Sequence, residues 1–137
     1  MALTNLNDSV KLDTLKPEDI DSIGKSFGET LADKKRGIKT NQVRNVYSSI
    51  LALRTEAKKT TVFNEKLKRN LVLIKPKLAY ATGRVSQDSK MRDLYHLIVN
   101  GIDGVNRSEN KLLALNNFIL IVESIVAYHK YYGGKDK

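Results

Sequence analysis

The chain has 137 residues, no cysteine, and 24 Lys+Arg against 15 Asp+Glu, a net charge of +9. Its length suits one domain, and its 41% apolar and 28% charged residues are ordinary for a folded globular protein. The missing cysteines exclude a disulfide framework, a thiolate nucleophile and a zinc–thiolate site.

The first fifteen residues, MALTNLNDSVKLDTL, read as a mobile polar N-terminal segment, with a helical domain over 16–137. They have no basic n-region leading into an apolar stretch, so an export signal is not expected and a cytoplasmic location is. Pro17 then suits the first turn of a helix, and Glu18, Asp19 and Asp21 suit its positive end. Ile20, Ile23, Phe27 and Leu31 recur at three- and four-residue spacing and make one apolar face. Gly24-Lys25-Ser26 has the ending of a phosphate-binding loop, but the glycine needed five residues before Gly24 is Asp19. Gly24 is better read as a small position for helix packing.

Asp33-Lys34-Lys35-Arg36-Gly37 reads as a charged connection. A second helix is expected from Thr40, acting as N-cap, with Val43, Val46, Tyr47, Ile50, Leu53 and Ala57 buried. A third is expected over about 62–83, with Phe63, Leu67, Leu71, Ile74, Leu78 and Ala81 inward and Gly83 at its end. Pro76 should kink it or split it in two. A fourth helix is expected over about 88–100, followed by a loop at Asn100-Gly101 and Asp103-Gly104. The fifth, from Ser108 to about Tyr132, has two apolar stripes. Leu112, Leu115, Ile119, Val122 and Val126 form one, and Phe118, Ile121, Ile125, Tyr128 and Tyr132 the other. Such a helix is either central or partly covered by another subunit. The longest strongly apolar run, Phe118–Val122, is far below the roughly 20 residues of a membrane span. With no strand-like alternation, the reading is all-α: a compact single-domain bundle of about five helices.

The charge is uneven. Residues 34–84 hold fourteen Lys+Arg and two acids, whereas residues 1–33 hold three Lys and seven acids. A basic block of this density attracts phosphate backbones, although it also serves solubility. On the third helix, Lys66, Arg69, Leu73, Lys77, Tyr80 and Arg84 share a sector between about 240° and 320° when Phe63 is set at zero. Lys and Arg there could contact phosphates, and Tyr80 could stack on a base. Catalytic chemistry finds little support. His96 and His129 stand in no metal or triad spacing, and neither a metal nor any other cofactor is expected.

Three segments resemble one family in the right order. Ile38-Lys39-Thr40-Asn41-Gln42-Val43-Arg44 resembles its first signature, and Leu78-Ala79-Tyr80-Ala81-Thr82-Gly83-Arg84 its second. The stretch from Val122 through Ala127-Tyr128-His129-Lys130-Tyr131-Tyr132-Gly133-Gly134-Lys135 resembles its third. These are similar to the small subunit of type III-A (Csm) CRISPR effector complexes. The resemblance covers roughly residues 38–135. Ser124 departs from the usual small Ala, and Asn41 from Ser or Thr. The resemblance implies a non-catalytic helical protein present in several copies beside the backbone and large subunits. It would contact the guide RNA–target RNA duplex and support antiviral RNA interference. Arg44, Arg84 and Lys130 are its RNA-binding candidates, and Lys39, Lys75, Lys77 and Tyr80 follow from the charge and the stripe. The alternative is a helical protein–protein scaffold or adaptor without RNA affinity. A helical DNA-binding regulator is a third reading.

Overall fold

The computed structural model describes residues 5–7 and 10–134. Six α-helices follow a short 3-10 turn at Leu12–Thr14: α1 Pro17–Leu31, α2 Thr40–Ala57, α3 Glu65–Val72, α4 Ile74–Gly83, α5 Met91–Arg107 and α6 Lys111–Tyr131. No strand occurs among the described residues. The all-α single-domain architecture follows from the apolar spacing, with the third expected helix divided into α3 and α4.

α6 is the axis of the bundle. It packs most extensively along α1 and also meets α2, α5 and the 3-10 turn. Both of its apolar stripes turn inward: Leu115, Ile119 and Val122 are buried, and so are Phe118, Ile121 and Ile125. The first part of the second stripe is therefore core, whereas Tyr128 and Tyr132 at its end are half-buried. By length and hydropathy alone α6 could cross a membrane. Its central place and buried flanks are those of a core helix.

The close α1–α6 approach rests on small residues. Gly24 lies against Ser124 and Gly28 against Tyr128, where an added methyl group would overlap the facing side chain. At the same interface the Tyr128 hydroxyl donates to Asp21 Oδ1 at 2.6 Å. That bond, by holding the neutral phenol beside a carboxylate, raises the Tyr128 pKa. On another side, Arg54 of α2 pairs with Glu123 of α6 at 3.0 Å.

Several boundaries differ from the sequence reading. The third helix does split, but at Leu73, three residues ahead of Pro76. Pro76 then falls in the first turn of α4, where its missing N–H has no intrahelical partner to lose. The expected loop at Asn100–Gly104 is instead the interior of α5. Its glycines are packing positions: a methyl at Gly101 would enter the Phe118 ring, and one at Gly104 would press on Leu12. Lys39, not Thr40, is the N-cap of α2, and its N–H donates to Gln42 Oε1 at 2.9 Å. Asn110 caps α6 by accepting from Leu113 N at 3.1 Å, while the Ser108 hydroxyl donates back to Gly104 O.

Where the sequence suggests a mobile segment over 1–15, its described part packs on the bundle. Leu6 and Leu12 are buried in the core. Their carbonyls accept from Asn100 Nδ2 at 2.9 Å and Asn117 Nδ2 at 2.7 Å.

The end of α6 is tied to the start of α2. His129 is only 1% exposed, and its Nε2 donates to Ile38 O at 2.8 Å. Its ring lies against Gly134, whose carbonyl accepts from the Thr40 hydroxyl at 3.4 Å. Gly133 makes the turn between them with φ +88°, a left-handed conformation suited to glycine. His129 is thus a buried structural strut.

Candidate nucleic-acid interface

Three neighbouring positions on the outer side of α4 carry the expected stripe. Lys77, Tyr80 and Arg84 follow at three- and four-residue spacing and are all exposed. The Tyr80 side chain is 70% exposed, and the Arg84 guanidinium sits 5.7 Å from its ring centroid. A cation over the aromatic face holds both groups in one place on the surface. An exposed large aromatic beside fixed cations offers a flat stacking surface together with charges for phosphate.

Neighbouring cations differ in how far they are committed. Lys75 is one helical turn's side away from the stripe: it is half-buried and pairs with Asp103 of α5. Lys66 pairs with Glu56 at 2.6 Å, which lowers the Glu56 pKa through that hydrogen bond and the ammonium charge. With Arg54 on Glu123, three cations of the basic block are matched by acids. Lys77, Arg84, Lys39 and Arg44 carry no such ion pair among the described residues and stand exposed.

The fold brings the candidates into two groups. Lys77, Tyr80 and Arg84 sit together on the outer side of α4, and of the three only Lys77 lines the groove to α2, whose opposite wall includes Gln42, Asn45 and Ser49. Arg44 is exposed on α2 but does not line the groove. Lys39 and Lys130 form the second group, where residues 38–40 meet the end of α6 through the His129 and Gly134 bonds, and the Lys39 N–H donates to Gln42 of the groove wall. Lys130 is exposed but already takes part in an interaction of its own. Lys75 stands apart from both groups. Lys135 of the third signature lies outside the described residues.

A further basic feature was read in the sequence only as a connection. Asp33 Oδ1 accepts from Lys35 N at 2.8 Å and Arg36 N at 3.0 Å, fixing the turn. Those two N–H groups, helped by the Lys90 and Arg36 charges, lower the Asp33 pKa. Lys34, Lys35 and Arg36 are thereby presented on an ordered, exposed turn rather than a loose loop. The Asp-x-Lys-Arg-Gly spacing, an Asx-type turn ahead of glycine, was the available signal.

The acidic part of the chain lies elsewhere. α1, with Glu18, Asp19, Asp21 and Glu29, packs on α6 and α5 and makes no comparable contact with α2, α3 or α4. The basic surface of α2–α4 is therefore not neutralised by the acids of α1. Among the described residues no group of three or more His, Cys, Asp or Glu side chains converges as a metal site.

Against known families, the chain matches the model described as Csm2 Type III-A over residues 14–135. No curated protein and no solved structure gives a match.

Proposed function

The chain belongs to the Csm2 Type III-A family, a small subunit of the type III-A CRISPR complex that assembles with other Csm subunits, and from that premise we propose its role within the assembly. It is a non-catalytic RNA-binding subunit of the cytoplasmic effector. It contacts the guide RNA–target RNA duplex through phosphates and sits beside backbone and large subunits and further copies of itself. The observation that carries this reading is the exposed Lys77–Tyr80–Arg84 stripe, on a basic face that few acids neutralise. Its chemistry suits a subunit that must accept any target sequence. Phosphate contacts position a strand without reading it, and an aromatic face stacks on any base.

Binding to single-stranded RNA of unrelated sequences, measured against salt, tests the reading. Comparable affinities that fall steeply with salt are expected. A flat salt response, or strong preference for one sequence, contradicts it. The scaffold reading draws less support from α6, whose Phe118, Ile121 and Ile125 are buried while Tyr128 and Tyr132 are half-buried.

A further inference from the structure

The groove between α2 and α4 is more than a seam in the packing. Near Met91 it opens into a cleft of about 180 Å³, with Gln42, Asn45 and Lys77 at the rim. Beside it, toward α3, lies a second cleft of about 160 Å³ reaching Asn70 and Leu73. Ser49, Ile74 and Lys77 line both, so the two clefts adjoin with the Lys77 side chain between them. The floor is apolar and buried, formed by Val46, Ile74, Leu78 and Met91. No acidic residue lines either cleft.

We propose that this trough takes two consecutive unpaired nucleotides of RNA, one base in each cleft, with the linking phosphate at Lys77. The inference rests on the RNA-binding reading above and specifies which part of the RNA the site accepts. Each cleft is smaller than the roughly 300–1,000 Å³ typical of a drug-sized ligand, so it suits one flat ring system. The amides of Asn45 and Asn70 carry both donors and acceptors, and Gln42, whose Oε1 accepts from the Lys39 N–H, adds its amide donors; together they match the polar edge of any base. The single cation where the clefts meet, with no carboxylate nearby, demands an occupant that is apolar in two places and anionic between them. A single-stranded ribonucleotide step has that pattern, and a duplex, whose bases are stacked inward, does not.

The chain contains two methionines, so methyl-labelled methionine gives an almost empty spectrum in which Met91 reports on the cleft floor. Met91→Leu assigns its signal. The full-length protein is titrated at low salt with a mixed-sequence 12-nucleotide RNA, the same oligomer with abasic sugars throughout, and a poly-aspartate peptide. The expected result is that the ordinary RNA shifts the Met91 signal, while the abasic strand leaves it in place and binds about tenfold more weakly. Equal affinity of the two strands with a silent Met91 signal overturns the base-binding trough and leaves phosphate-based RNA binding standing. A poly-aspartate peptide that shifts Met91 as strongly as RNA overturns it in favour of an acidic protein segment. Failure of both strands to bind at low salt overturns the RNA-binding reading itself, and the trough with it.

Discussion

Replacing Arg84 with Ala should change the salt dependence of RNA binding by a definite amount. Four of the candidate contact residues, Lys39, Arg44, Lys77 and Arg84, are exposed without an ion pair among the described residues. Each phosphate neutralised on a single strand contributes a slope of about −0.7 to log K against log salt, so four give about −3. Between 50 and 200 mM salt the affinity should fall about fiftyfold. Arg84→Ala should bring the slope to about −2 and weaken binding at every salt concentration. Tyr80→Ala should also weaken binding but leave the slope unchanged, because a stacked ring displaces no counterion. Lys75→Ala is the internal control. Its ammonium is already paired with Asp103, so neither slope nor affinity should move appreciably. Fluorescence anisotropy with a labelled RNA across a salt series reads all four proteins, and circular dichroism shows whether each remains helical. An Arg84→Ala slope equal to wild type, or an equal drop from Lys75→Ala, refutes the assignment of phosphate contacts to exposed, unpaired cations.

Other consequences concern the scaffold. Gly101→Ala should cost about 1–3 kcal/mol in urea unfolding, because the new methyl overpacks the buried Phe118 ring; an unchanged midpoint would mean that α5 and α6 are not packed this closely. His129→Phe should cost about 1–3 kcal/mol by leaving the buried Ile38 carbonyl without its donor, and an equally stable variant would remove the strut. Asp33, Glu56 and Asp88 all have lowered pKa values from hydrogen bonds that favour the carboxylate. Their contribution is complete above the ordinary carboxylate range and is lost as pH falls through the lowered folded values. Asp33→Asn should therefore reduce the melting temperature at neutral pH more than at pH 3, and a difference independent of pH would contradict the ordered turn.

Much of this was visible in the sequence because helices repeat. The three- and four-residue spacing of Ile23, Phe27 and Leu31, or of Leu67, Leu71, Ile74 and Leu78, fixes which side is buried without knowing what buries it. What failed depended on partners distant in the chain. Asn100-Gly101 has the letters of a turn, yet Phe118 arrives to fill the notch the glycine leaves. Leu6 and Leu12 are isolated among polar residues, and only α5 and α6 show that they are anchors. The same holds for the interface. The spacing placed Lys77, Tyr80 and Arg84 on one side, and the break at Leu73 does not disturb them because all three lie beyond it, on α4 and its C-cap. It could not show that Lys75 faces Asp103, since that pairing joins residues 28 apart.

The pairing of α1 with α6 also sets an order of events during synthesis. α1 is made first of the helices and α6 last, yet each is the other's most extensive neighbour. While α2–α5 emerge from the ribosome, the Ile23, Phe27 and Leu31 face of α1 lacks its main partner, α6. The α1–α6 seam, the largest in the bundle, can form only once α6 has been made. Sequence-distant contacts of this kind slow folding relative to local ones. A nascent chain stalled before residue 111 therefore leaves the main partner face of α1 uncovered, the kind of exposed apolar surface that favours aggregation.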